Sequence, residues 1–237
     1  MKRALQSLTI LILFANLSIV QGQTPAKAPE ATPSGQQNPS AEKIWADLMA
    51  GNKRYVAGKP EARNLVKLRQ GLAKTQHPNV VVLSCSDSRV GPEVVFDQSL
   101  GDLFVVRSAG NIADAIGLGS IEYAVDHLGS SMIVVMGHTS CGAVKAACSG
   151  EKMPTPNLQA MVDKISPAVT RAKTHAKDDE LVHAAILENV DQSAKDVLAS
   201  SEVLQHFLHD GKLTVFEAVQ ELGTGKVVLL RTISGHE

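Results

Sequence analysis

The stretch VVLSCSDSRV, residues 81–90, decides how the rest of the chain is read. It opens as a β-branched apolar run, Val81-Val82-Leu83, the composition of a strand buried on both faces. It then sets Cys85, Asp87 and Arg89 on alternating positions, so that in an extended chain all three lean to one side. A thiol, a carboxylate and a guanidinium following a buried strand are costly unless they pair or do chemistry. Two similar apolar runs lie further on, Leu103–Arg107 (LFVVR) and Met132–Met136 (MIVVM), separated by helical patterns. Strands of this kind alternating with helices predict an α/β fold, a mostly parallel sheet with helices on both faces. Leu213–Leu222 and Lys226–Leu230 flank Gly223-Thr224-Gly225 and read as an antiparallel edge hairpin.

The helical patterns fill the gaps. After Ser40, residues Ile44, Trp45, Leu48, Met49 and Tyr55 recur at near-helical spacing, and Gly58 with Pro60 ends the run. This predicts an amphipathic N-terminal arm that docks on the domain or on a partner subunit. Further helices are predicted over Leu65–Lys74, after Pro92, over Ala113–Leu128 with Ile116, Ser120, Ala124 and Val125 near one face, over Cys141–Cys148, over Leu158–Lys177 and over Glu180–His209.

Bulk properties bound the alternatives. The chain has 237 residues, 44% hydrophobic and 20% charged, which suits one globular domain. Its net charge is −1, and no Lys/Arg block forms a stripe, which argues against a nucleic-acid partner. Lys2 and Arg3 precede an apolar run from Leu8 to Val20 that falls short of the ~20 residues needed to span a bilayer. Residues 1–22 therefore read as a cleaved secretory signal rather than an anchor, and the mature protein as exported, to the periplasm, with no stable membrane anchor. Residues 23–40 hold four of the chain's ten prolines and almost no large apolar side chain, a flexible linker. One catalytic domain is expected over 41–237.

The three cysteines, Cys85, Cys141 and Cys148, are too few and of the wrong parity for a disulfide framework. In a parallel sheet, sites form at the carboxyl ends of the strands, where Cys85, Arg107 and His138 lie. In GHTSCGAV (137–144), His138 leaves the third strand and Cys141 opens the next helix, whose dipole favours a thiolate. Cys85, His138 and Cys141 together form a Cys2His set, three ligands with the fourth tetrahedral position open, as a catalytic zinc requires. The competing reading is a Cys85–Cys141 disulfide with Cys148 free; it leaves His138, Asp87 and Arg89 without a role. Cys148 is expected to be a buried thiol outside the site. Two thiolates make the metal a poorer acid, so a helper is needed. Asp87 can accept a hydrogen bond from bound water, and Arg89 can hold Asp87 ionised in a bidentate pair. Asp87 could also swing onto the metal and close the site, with Arg89 as the competitor that pulls it off.

With these residues assembled, the sequence resembles the β-class carbonic anhydrases. C-S-D-S-R at 85–89 and H-T-S-C-G at 138–142 look like that family's two zinc motifs. Val105-Val106-Arg107 with Ala109-Gly110-Asn111, Ser120 to Val125, and Glu188-Asn189-Val190 look like further family segments, so the likeness runs from about Ser40 to Arg231. The resemblance implies one Zn²⁺ per subunit on Cys85, His138 and Cys141, with Asp87 and Arg89 as the catalytic dyad. It implies reversible hydration of CO₂ to bicarbonate by a zinc-bound hydroxide, in a homodimer or homotetramer whose N-terminal helix embraces the partner. Gln98 sits where a partner-supplied substrate residue would be, and Gly142 is assigned to substrate binding beside it. Some bacterial members close in response to bicarbonate through a Trp three residues before the first zinc Cys and a Tyr on the late strand. Val82 and Gln220 stand at those places, so no bicarbonate-driven closure is expected. The rivals are a CS₂ or COS hydrolase on the same scaffold and a non-catalytic zinc-binding module.

Overall fold

The computed structural model describes residues 39–235. The predicted signal peptide, the predicted linker up to residue 38 and His236 lie outside the described residues. Among the described residues, no helix is long and apolar enough to cross a membrane.

Five strands form one sheet in the order β2-β1-β3-β4-β5. β1 (Val80–Cys85) pairs in parallel with β2 (Leu103–Ser108) on one side and with β3 (Met132–His138) on the other. β4 (Thr214–Gln220) continues in parallel from β3, and β5 (Val227–Ile233) closes the far edge antiparallel to β4. This is the predicted mostly parallel sheet with an antiparallel edge hairpin. β1 and β3 are buried along their whole length, as their unbroken apolar runs require.

Helices cover both faces. On one face lie α1 (Ala41–Val56) and α3 (Pro92–Val95), whose Ile44, Leu48 and Val95 pack with Val80, Val82, Val134 and Phe216. Trp45 stacks on Phe216 with ring centroids 5.0 Å apart, so the predicted arm docks through α1 on its own chain. The short α2 (Leu65–Gly71) follows α1 and buries none of its residues. The other face carries α4 (Ala115–Asp126), α5 (Gly142–Ser149), α6 (Pro156–Ala172), α7 (Leu181–Ala199) and α8 (Glu202–His209), packed on Val81, Leu83, Ile133, Val135 and Val215.

Three expectations are corrected. The helical pattern over 180–209 is two helices, because Ser201 caps a new one: its hydroxyl accepts from the Leu204 N–H and ends α7. The pattern over 158–177 starts earlier, at Pro156 behind its Thr155 cap, and stops at Ala172. In α4 the buried positions are Ile121, Ala124 and Val125, whereas Ile116 is 79% exposed. The start of α4 at Asp114, whose side chain accepts from Gly117 N, turns Ile116 outward.

Candidate metal centre

Three elements deliver the three ligand candidates. Cys85 is the last residue of β1 and His138 the last of β3, both buried at the carboxyl end of the sheet. Cys141 is the N-cap of α5. Ser140 adopts a left-handed backbone (φ 58°), which turns the chain sharply between strand and helix and brings His138 and Cys141 together. One ligand atom from each of Cys85, His138 and Cys141 lies within 4.8 Å of the other two. The two sulfurs are 4.0 Å apart, close to the ~3.8 Å edge of a tetrahedron with ~2.3 Å zinc–sulfur bonds. They are free thiols, so the competing disulfide is not formed.

The histidine tautomer follows from its surroundings. His138 Nδ1 lies 3.0 Å from the Thr139 carbonyl, which can only accept, so Nδ1 carries the proton. Nε2 is then a bare lone pair, buried and without a hydrogen-bond partner among the described residues. A buried, unpartnered imidazole nitrogen facing two thiols suits a soft-metal ligand. The thiols favour the same outcome. Hydrogen bonding from Cys141, with the Gly110 N–H 3.3 Å from its sulfur, pulls the Cys85 thiol down despite burial. Sharing that proton pushes Cys141 up. One thiolate is thus stabilised in advance.

Asp87 and Arg89 form a bidentate pair beside this set. Asp87 Oδ1 accepts from Arg89 N (3.0 Å) and Nε (2.8 Å), and Oδ2 accepts from Arg89 Nη2 (2.6 Å). The Arg89 bonds hold the Asp87 carboxyl well below the usual carboxylate range. Oδ2 also lies 3.9 Å from His138 Nε2, so the carboxylate borders the ligand set instead of facing away from it. The Asp87 side chain is 17% exposed and the Arg89 side chain 57%, which sets the dyad at the mouth of the site.

The end of β2 braces the same loop. Arg107 donates from Nε to the Cys85 carbonyl (2.9 Å) and from Nη2 to the Asp87 carbonyl (2.6 Å). Gly110 turns in the left-handed region (φ 81°), where an added Cβ would stand 2.6 Å from Ile165 Cδ1. Asn189 of α7 fixes that turn by donating to the Gly110 carbonyl at 2.8 Å. The segments around Gly110 and Asn189 stood out in the sequence only by resemblance; the contacts give them a physical task, to aim an N–H at the Cys85 sulfur.

Other expected residues fall elsewhere. Gly142 is the first residue of α5, next to Cys141, with open space where a Cβ would be. Gln98 does not join its own chain's cluster. It lines a cavity with Val80 and Leu103, the first residues of β1 and β2, at the opposite end of the sheet, and donates to the Phe96 carbonyl at 2.9 Å. Cys148 is half-buried rather than buried, and desolvation raises its thiol pKa. Val82 is fully buried against the α1 face. Gln220 is buried at the His138 register of β4, and its Oε1 has no partner among the described residues. A cavity of about 960 Å³ runs along the open edge of β2 and reaches Arg107 and Ser108.

Comparison with known proteins agrees with this arrangement. The sequence model of the family described as carbonic anhydrase matches residues 80–227. Carbonic anhydrase 2 of Mycobacterium tuberculosis is 38% identical over 198 residues, which is 81% of this chain and 93% of that protein. The carbonic anhydrase of Mycolicibacterium smegmatis is 37% identical over the same shares of the two chains. Among solved structures, a Coccomyxa β-carbonic anhydrase in complex with acetazolamide superposes with a TM-score of 0.64 at 29% identity, covering 82% of this chain and 86% of that one. A tetrameric β-carbonic anhydrase from Sordaria macrospora gives a TM-score of 0.64 at 25% identity, over 79% and 97%. The chain belongs to the carbonic anhydrase family, and within it to the β class.

Proposed function

We infer that this protein is a zinc lyase that catalyses the reversible hydration of CO₂ to bicarbonate and a proton. The observation that carries this is the convergence of Cys85, His138 and Cys141 with a lone pair on His138 Nε2 and the Asp87 carboxylate 3.9 Å away. On this reading Cys85 Sγ, Cys141 Sγ and His138 Nε2 hold one Zn²⁺ per chain. Zinc bound there supplies the Lewis acidity that makes water a nucleophile near neutral pH. Asp87, kept ionised by Arg89, can only accept a hydrogen bond, so it turns the nucleophile's O–H toward itself and its lone pair toward CO₂. Arg89 keeps that acceptor aimed, and His138 Nδ1–H on the Thr139 carbonyl keeps the ring oriented.

The finer readings rest on the same base. The protein is exported to the periplasm by a signal over residues 1–22. It works as a homodimer or homotetramer, a reading supported by the unpaired β2 edge and the cavity beside it. Gln98 lies at the wrong end of the sheet for its own site and serves substrate only if a second copy brings it there. The Asp87–Arg89 pair supports an open site, and Val82 in the core supports an enzyme without bicarbonate-driven closure.

The test is stopped-flow CO₂ hydration on purified protein, with and without a chelator, with zinc content measured in parallel. Activity proportional to zinc, near one ion per chain, is expected. Full zinc content without hydration would mark a non-catalytic zinc module, and turnover of COS or CS₂ but not CO₂ would mark a hydrolase. Added bicarbonate is expected to inhibit without cooperativity.

A further inference from the structure

We propose that Arg107 is a positioning residue for this reaction: by clamping the backbone carbonyls of Cys85 and Asp87, it keeps the Asp87 carboxylate on Arg89 and off the metal. The proposal deepens the functional reading above and rests on its assignment of Asp87 and the Cys–His–Cys set.

The β1–β2 ladder ends at the Cys85–Ser108 register. Beyond it, the Ser86 N–H reaches the Ser108 carbonyl at 2.9 Å, and residues 86–89 have no strand pairing. The loop that carries Asp87 is therefore held by side chains and its own turn. Arg107 spans it from the neighbouring strand, with Nε on the carbonyl of Cys85 and Nη2 on the carbonyl of Asp87. These two N–H groups lie on one edge of a rigid planar fork, so the two carbonyls are fixed relative to each other as well as to β2. The Asp87 carbonyl also takes the Val90 N–H at 3.2 Å, which closes the turn behind it.

What this clamp decides is a short displacement. Asp87 Oδ2 sits 2.6 Å from Arg89 Nη2 and 3.9 Å from His138 Nε2, the bare nitrogen that faces the ligand position. The carboxylate thus has two destinations, Arg89 and the fourth metal position. Arg89 alone is a weak restraint, because its side chain is 57% exposed and free to follow the carboxylate or leave it. Arg107 acts on the main chain instead. It fixes where the Asp87 backbone stands, and only from there do both Asp87 oxygens meet Arg89.

The test uses the full-length protein with Co²⁺ in place of zinc and thiocyanate as the probe. The anion needs an open metal position, and the visible spectrum of Co²⁺ reports its binding. Wild type is expected to bind thiocyanate, and Arg107→Ala to bind it about tenfold more weakly or worse, the scale of losing one charge-assisted hydrogen bond. CO₂ hydration by the zinc form falls in kcat at unchanged zinc content. The double variant Arg107→Ala/Asp87→Asn recovers anion affinity without recovering kcat, and Arg107→Lys, which keeps the charge but not the fork, falls between. Should Arg107→Ala fail to fold, Arg107→Lys alone and paired with Asp87→Asn carries the same comparison. Wild-type anion affinity in the Arg107 variants, or a loss that Asp87→Asn does not reverse, overturns the proposal. A wild-type holoprotein that fails to hydrate CO₂ overturns the assignment of the site, and this proposal with it.

Discussion

On the proposed mechanism, Asp87 has two tasks that pull against each other: it must be close to the reacting water and must not itself become a ligand. The Arg89 fork satisfies both by occupying two of its oxygens while leaving Oδ2 3.9 Å from His138 Nε2. Asp87→Asn keeps the volume and one acceptor but loses the charge that the fork grips. CO₂ hydration is expected to fall by ~10²-fold or more, with zinc content unchanged, since the change touches neither thiol nor imidazole. A variant with more than about half of wild-type kcat/KM would remove Asp87 from the mechanism. These residues were legible because a buried strand ending C-S-D-S-R and a strand–turn–helix carrying H-x-x-C each leave few readings. Where Gln98 stands relative to its own site was not legible, because which end of the sheet a loop residue serves depends on the path of the chain, and the sequence does not print that path. The Arg107 clamp was hidden for a related reason: it follows from the parallel register that pairs Ser84 with Arg107, and register is a tertiary fact.

At the scale of elements, the site depends on how closely α7 lies on β3. Gly137 precedes His138, and a Cβ there would stand 2.6 Å from Val190 Cγ2 of α7. The same helix carries Asn189, which holds the Gly110 turn against Cys85. Gly137→Ala must therefore push α7 outward or twist β3 at its last residue. A destabilisation of about 1–3 kcal/mol is expected, the usual cost of overpacking. Zinc affinity should weaken alongside it, because His138 and the Asn189–Gly110 brace move together. Thermal denaturation with a zinc competition titration checks this, and an unchanged zinc affinity would mean that the helix yields without carrying the site with it. Helix boundaries were the least readable part of the chain. Ser201 sits in a run with unbroken helical periodicity, and only its hydroxyl on the Leu204 N–H makes it a cap. Serine is compatible with a helix interior as well as a cap, and packing selects between them.

Across the whole molecule, stability is linked to two titrating systems, the metal and a buried acid. The zinc ligands come from β1, β3 and the start of α5, so metal binding ties separate parts of the fold, and its free energy adds to folding. Chelation should lower the Tm as well as abolish activity, and re-addition of zinc should restore both; a Tm indifferent to zinc would mean the site is preformed and weakly coupled. The acid is Glu217, in the middle of β4 on the α7 face, 3% exposed, with Oε1 lacking a partner among the described residues. Burial raises its pKa, and Asp191 of α7 adds to the rise, while Arg231 of β5 and Lys195 of α7 oppose it. With the folded pKa above the unfolded value of ~4.3, the folded state binds the proton more tightly. The stability this supplies is fully present below the unfolded pKa and is lost as pH rises through the folded pKa. Glu217→Gln keeps the neutral shape and removes the titration. Across a Tm series of the zinc-loaded protein from acid to alkaline pH, the variant is expected to lose less stability than wild type on the rise above ~4.3, and to gain on it toward alkaline pH. Parallel curves for the two proteins would mean that Glu217 finds a hydrogen-bond partner, such as water, that lets it ionise in place.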